Sequence, residues 1–349
     1  MSERPLLPSD IRAKWSVGPG YLNTALRGVP PVASVDAASA LLKTWADGSL
    51  DWIAWLDEIA EVRQAFARLT GAAADEIAIG HGGASLMAAA ARALPAGATV
   101  ITLAQEHNSC TIPFLHAGAE LVVESVSRER LEERLARGGY AALAISLVQS
   151  LDGRIVDLAA LRPLVKAAGA WLLVDATQAL GWLPFDIRQT DLCVASCYKW
   201  LMGPNGPSFG WASPELLPHL KPAAPNWFAC TEPYAAPYGT DFQLADNARR
   251  LDVVPGLLSL AALRPSLELL ASIGIEHIHA HNVALAAMVR RGLGLEENGS
   301  ALVSFERAGA GAALQRAGLQ VTVRGDRVRL AFHVHNTLAD AERVLEVLG

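Results

Sequence analysis

Charge, cysteine and long apolar runs are all scarce in this chain of 349 residues. Only 18% of residues are charged against 52% hydrophobic, a balance too rich in core material for a disordered chain. The net charge of -6 and a pI near 5.9 offer no basic field for nucleic acid. The four cysteines, Cys110, Cys193, Cys197 and Cys230, never form a CxxC pair, which argues against a zinc knuckle or a disulfide framework. They read as a reduced set, so a cytoplasmic location is expected. No segment reaches eighteen uninterrupted apolar residues, and the opening MSERPLLPSDIRAKW contains no apolar signal-peptide core. The expectation is a soluble chain without membrane or nucleic-acid partners, acting on a small molecule or another protein.

What is present is a rhythm. The length suggests one large and one smaller domain. Residues 1 to about 30 show little periodicity, and Gly18, Gly20 and Pro30-Pro31 break them into an extended arm. From Val35 to Leu69 apolar residues recur at three and four, predicting two amphipathic helices with a break near Gly48. Then short β-branched runs alternate with helical ones: DEIAIG, LMAAAARAL, ATVITLAQEH, TIPFLHAGA, ELVVESV, RERLEERLAR, YAALAISLV, DLAALRPLVKAAG, WLLVDA and DLCVASC. Such alternation predicts a mostly parallel sheet covered on both faces, with functional residues at strand carboxyl ends. After Gly206 the pattern turns irregular and reads as a long surface or interface loop up to about 250. Two helical stretches, the strands ALVSF, LQVTVRG and RVRLAFHV, and the helices AALQRAG and TLADAERVLEVL then form a compact α+β unit.

Chemistry concentrates in residues 171–206. One apolar run ends on Asp175, a second on Ser196-Cys197-Tyr198-Lys199, followed by Gly203-Pro204-Asn205-Gly206. An acid and a lysine at two strand ends meet the needs of pyridoxal 5'-phosphate (PLP). The carboxylate keeps the pyridine nitrogen protonated, and the amine holds the aldehyde as a Schiff base. Upstream, a strand, the turn HGGAS and a helix in succession suggest an anion site at the helix N-terminus.

The pieces YLNTALRG, GHGGAS, EHNSC, DATQALG, SCYKWLMGPNG, DNARRLD and VRLAFHVHNT stand in family order, and through them the chain resembles the class V aminotransferase-like, fold-type I PLP enzymes. This superfamily contains cysteine desulfurases, isopenicillin N epimerase-like proteins and C–S lyases. The resemblance implies an α/β fold, with an arm (1–34), a large PLP-binding domain (35–250) and a small α+β domain (251–349), assembled as a homodimer. It implies an enzyme acting at the α-carbon of an amino acid. Lys199 would hold the cofactor and shuttle protons, Asp175 would pair with the ring nitrogen, Gln178 with the phenolic oxygen, and His107 would stack on the ring. Gly83, Ala84 and Ser196 would serve the phosphate. Tyr198 stands where desulfurases usually have His, so that contact comes either from a phenol or from elsewhere. Arg329 would bind the substrate carboxylate through its planar fork, with Asn23 lining the same pocket.

Three departures matter: Ser150 replaces a family asparagine, Val254-Pro255 replaces a Gly-Thr pair that reaches the neighbouring subunit's phosphate, and no cysteine follows Cys230. Desulfurases place their persulfide-forming cysteine in a loop of the C-terminal domain, so a lyase-, epimerase- or aminotransferase-type reaction is expected, with desulfuration the alternative. A more distant alternative is a nicotinamide-dependent oxidoreductase. The segment 80–85 follows a strand, opens a helix and precedes Glu106 at about the usual distance, but it fails the last glycine of GxGxxG and leaves Lys199 unexplained. His277, His279 and His281 read as a solvated helix face rather than a metal site. Arg249-Arg250 fit either a phosphate or subunit contact, or structural ion pairs.

Overall fold

In the computed structural model, which describes residues 6–117, 120–233 and 238–349, the chain builds two sheets. The larger contains β1 (Ile77–His81), β2 (Thr99–Leu103), β3 (Val122–Val126), β4 (Ala142–Ser146), β5 (Trp171–Asp175), β6 (Leu192–Ser196) and β7 (Pro207–Ala212). Their order is β1-β7-β6-β5-β4-β2-β3. Neighbours from β3 to β6 pair parallel, while β7 is antiparallel to both β6 and β1. Every residue of β4, β6 and β7 is buried, as a sheet covered on both faces requires. The helices of this part are α1 (Val32–Ala46), α2 (Trp52–Thr70), α3 (Gly83–Ala91), α4 (Asn108–Leu115), α5 (Leu131–Ala136) and α6 (Leu158–Ala167). After them come α7 (Leu257–Ile273), α8 (Ile275–Gly292), β8 (Leu302–Glu306), α9 (Ala310–Arg316), β9 (Thr322–Arg324), β10 (Arg327–Ala331) and α10 (Leu338–Leu348). Here the strands form a small antiparallel sheet in the order β8-β10-β9. The fold is therefore the expected fold-type I arrangement, a mostly parallel helix-covered sheet with a smaller α+β unit.

Three details differ from the sequence reading. The irregular stretch after Gly206 begins with a fully buried strand, β7, which the Pro and Gly in PSFGWA disguise. Helix α1 packs against α7, yet its apolar residues Val35, Leu42 and Trp45 are exposed, Trp45 by 60%. Its amphipathic face is thus only partly covered within one chain. The histidines of α8 are not one solvated face. His277 is exposed, but His279 stacks on Trp182 with centroids 5.7 Å apart. His281 is buried, taking the Leu7 N–H on Nδ1 at 3.1 Å and lying 3.0 Å from Asn336 O through Nε2. No single helix among the described residues is long and apolar enough to cross a membrane.

Strand β1 is an edge strand, and the chain manages that edge with a buried ion pair. Asp252 accepts the Ile79 N–H at 2.8 Å and pairs with Arg63 at 2.6 Å, while the Val253 N–H donates to Ile79 O. Arg63 also donates to Ile77 O. Removing one partner of such a buried pair costs roughly 3–5 kcal/mol. The consequence is a fixed β1 terminus, from which the turn into α3 departs.

The arm is stitched to the far end of the sequence. Tyr21 bridges Gln320, Asn23 bridges Ala331, and the Gly20 N–H donates to Asp340 Oδ1 at 2.7 Å. It then passes beneath the turn after β6, where the Gly28 N–H donates to Tyr198 O at 2.8 Å. A Cβ at Gly28 would lie 1.9 Å from Lys199 O, so this approach demands glycine.

Candidate active site

Lys199 lies three residues beyond β6, in a turn held from several sides. The Met202 N–H donates to Lys199 O at 3.0 Å, and the Gly203 N–H to Cys197 O at 2.9 Å. Trp200 is fully buried; its indole N–H donates to Gln178 Oε1 at 2.7 Å, and His333 Nε2 lies 2.8 Å from its carbonyl. Ser266 Oγ donates to Leu201 O at 2.8 Å. A turn tied this tightly aims its side chain, and Lys199 points into a cleft of about 490 Å³ lined also by Ala25, Leu26, Arg27, Gly82, His107, Ser150, Tyr198, Asn205, Gly206, Arg324 and Arg329. Burial lowers the Lys199 ammonium to about 8, partly opposed by the Asp175 carboxylate and reinforced by Arg329 and Arg324. An amine so placed is a nucleophile near neutral pH.

Asp175 ends β5, next to β6 in the sheet, and is buried. Its Oδ1 accepts the Thr177 N–H at 2.8 Å, capping the turn that follows, and no ion pair involves it among the described residues. Thr177 Oγ1 in turn accepts the Ser196 N–H at 3.0 Å. Ser196 Oγ accepts the Gly83 N–H at 2.9 Å, joining the end of β6 to the first residue of α3. Gly82 precedes that helix without a side-chain cap, and Ala84 follows Gly83 in its first turn. Gly82 and Tyr198 line the cleft with Lys199, while Gly83, Ala84, Ser196, Asp175 and Gln178 are not among its lining residues.

His107 caps α4 with its own ring. Nδ1 accepts from the Ser109 N–H at 3.2 Å and lies 2.6 Å from Ser109 Oγ, which places the ring proton on Nε2. Burial and then Lys199 hold its pKa below the ordinary histidine value, against Asp175 and Glu106, so a neutral imidazole faces the cleft. Glu106 is turned away. Its carboxylate accepts from the Ser146 N–H at 2.8 Å, Ser146 Oγ at 2.5 Å and Gln149 Nε2 at 3.0 Å, tying β2 to β4. An acid committed to those donors is unavailable to a nucleotide ribose, and the nicotinamide alternative loses its acid.

Arg329 on β10 is buried at the bottom of the cleft. It donates through Nη1 to Ser150 O and Ser150 Oγ, while its Nε has no partner. Burial lowers it to about 10, with Arg324 adding to the effect. Gln178 is buried and engaged: Nε2 donates to Ala25 O at 2.9 Å and Ser150 Oγ at 3.2 Å, besides the contact of Oε1 with Trp200. Asn23 is placed differently from the expectation. Its Oδ1 accepts from Thr322 Oγ1 at 2.5 Å, and it does not line the cleft, because the arm turns its side chain onto β9. Arg27 and Arg324 line the cleft although nothing in the sequence reading singled them out. For Arg324 a signal existed: two-residue alternation along a hairpin sets residues 322, 324, 327 and 329 on one face.

Arg249 donates to Cys230 O at 3.2 Å and thus serves a structural contact. All four cysteines are buried, and none lines the cleft. Burial pushes the Cys110, Cys193 and Cys197 thiols up. Cys230 borders a separate depression with Asn226, Trp227 and Phe242.

Comparison with known proteins identifies the family and the fold. The family model for class-V aminotransferases matches residues 54–311. An uncharacterized aminotransferase of Bacillus subtilis, YcbU, is 25% identical over 354 aligned residues, covering 94% of each chain. Among solved structures, the apo cysteine desulfurase of Thermococcus onnurineus superposes with a TM-score of 0.85 at 19% identity, covering 100% of this chain and 98% of the other. A mutant of C-DES with glycine covalently linked to its PLP cofactor superposes with a TM-score of 0.87 at 18% identity, covering 96% and 98%. With the family match spanning most of the chain and the fold shared along its whole length, the chain belongs to the class-V aminotransferases, fold-type I enzymes that depend on pyridoxal phosphate.

Proposed function

We propose that this enzyme acts at the α-carbon of an amino acid by a lyase-, epimerase- or aminotransferase-type reaction, most simply a C–S lyase-like one, without a cysteine nucleophile. The residues fit PLP by the chemistry of their donors: a partly neutral buried amine at Lys199, a buried carboxylate at Asp175, and the Gly83–Ala84 helix start with Ser196 and Tyr198. When bound, the cofactor supplies an aldehyde for the substrate amine and a protonated ring that takes up electron density from the α-carbon. Asp175 would hold the ring-nitrogen proton, His107 would lie against the ring as a neutral imidazole, and the Gly83 and Ala84 amides with Ser196 and Tyr198 would anchor the phosphate. Gln178 would serve the phenolic oxygen with the Nε2 hydrogen it now donates to Ser150 Oγ. Arg329 fixes the substrate carboxylate through its fork, and Lys199 moves the α-proton. We assign the arm to 1–34, the large domain to 35–250 and the small domain to 251–349.

One observation carries the reaction type. A desulfurase needs a thiolate on an exposed, mobile loop, whereas here the thiols are buried, and β9 meets β10 through only Gly325 and Asp326. Cys230→Ala should therefore retain most activity, while Arg329→Ala should raise KM by roughly 10–100-fold through loss of a charge-assisted hydrogen bond. The assay is a panel of amino acids and sulfur-substituted derivatives, scored for pyruvate, sulfide, racemised product and transferred amine. A dead Cys230→Ala enzyme whose wild type traps a persulfide would establish desulfuration instead.

The working form we propose is a homodimer. Val32, Val35, Leu42, Trp45, Trp52 and Ile53 expose apolar surface along α1 and the start of α2, beside an apolar groove of about 390 Å³ shared with α7. Light scattering should give about twice the single-chain mass of 36.9 kDa. A fully active particle of one-chain mass would rule this out.

A further inference from the structure

Of the two cleft cations with no task so far, Arg27 and Arg324, the second shares a sheet face with Arg329. It ends β9 directly opposite Arg327, with Thr322 opposite Arg329, so three guanidinium groups share one face of a two-residue hairpin. Like charges facing each other across a strand pair are destabilising unless something neutralises them. Arg327 is neutralised by Glu306 at 2.6 Å. Arg324 is exposed and has no ion pair or side-chain hydrogen bond among the described residues. Its charge is felt inside the cleft, where it acts on Lys199, His107 and Arg329 together. Arg27 lines the same cleft, and its charge acts on Tyr198.

Two positive groups are thus aligned from depth to mouth: buried Arg329, whose Nε is unpartnered, and exposed Arg324 above it. No carboxylate lines the cleft to answer them. We infer that Arg324 selects substrates with an anionic side chain, an amino acid with a second carboxylate, sulfinate or sulfonate group, whose α-carboxylate lies on Arg329. This deepens the reading above and rests on its placement of the α-carboxylate. A neutral side chain would leave Arg324 solvated, gaining nothing, whereas an anionic one gains a charge-assisted pair.

The test uses the PLP-loaded enzyme and unreactive ligands, so it does not depend on knowing the reaction. Succinate carries two carboxylates and butyrate one on a chain of the same length, and titration calorimetry gives both affinities. Wild type should bind succinate roughly 10–100-fold more tightly than butyrate. Arg324→Gln should abolish that preference, while Arg327→Gln, which removes the same charge one strand away, should leave it intact. Equal affinities in wild type, or a preference surviving in Arg324→Gln, would overturn the assignment. So would equal loss of both ligands in Arg324→Gln, which would make Arg324 a second holder of the α-carboxylate, or loss of preference in Arg327→Gln, which would reveal only a diffuse field. Arg329→Gln separates the underlying reading: if it weakens neither ligand, the α-carboxylate placement fails whatever Arg324 does.

Discussion

Lys199→Ala should give a folded protein that acquires no borohydride-stable link to the cofactor and turns over at least about 10⁴-fold more slowly than wild type. Folding should survive because the side-chain amine makes no hydrogen bond among the described residues; the turn is held by its backbone and by Trp200, His333 and Ser266. Losing a buried cation also removes a desolvation cost. The wild-type amine has a telling pH signature. With its pKa lowered to about 8 from 10.5, roughly 300 times more of it is neutral at pH 7 than for an ordinary lysine. Reconstitution of apoenzyme should accelerate as pH rises toward 8 and level off above it. The linkage runs the same way. Because the unfolded chain binds the proton more tightly, this group makes the apoenzyme more stable as pH rises between about 8 and 10.5. A reconstitution rate still climbing steeply above pH 9.5, or an active Lys199→Ala variant, would remove Lys199 from the role proposed for it.

Asp175→Asn should lose roughly 10²–10⁴-fold in turnover while keeping its fold and part of its cofactor. The asparagine oxygen can still accept the Thr177 N–H now held by Oδ1 at 2.8 Å, so the structural cap persists. What disappears is the negative charge, which alone keeps a ring nitrogen protonated. Calorimetric melting and an absorbance spectrum of the variant separate the two jobs. A lowered Tm with near-native turnover would make Asp175 a cap and nothing more.

Much of this was legible because parallel strands buried on both faces read as unbroken apolar runs, and the residue types that end them differ sharply from those runs. WLLVDA and DLCVASC announce Asp175 and Ser196 in that way, and Lys199 follows at a fixed short distance. β7 was missed for the converse reason, since it carries a proline and a glycine and runs antiparallel, outside the strand–helix alternation. Arg27 was illegible as a site residue because it is an ordinary surface residue type that only tertiary packing brings to the cleft, whereas Arg324 could have been found from its place on the same hairpin face as Arg329. His281 failed on helix geometry: the four-residue spacing from His277 puts both on one side, but the arm covers one of them and leaves the other exposed.

The stitching of the arm to the end of the chain sets an order of events during synthesis. Leu22 exchanges hydrogen bonds with Gln320 and Ala331, and Asn336 holds Tyr21, so the arm's partners emerge some three hundred residues after it does. At about 5–20 residues per second that is a wait of roughly 15–60 s. Meanwhile the Lys199 turn lacks His333 behind it. A chain stopped before residue 320 therefore lacks the arm's partners and the His333 contact of the Lys199 turn.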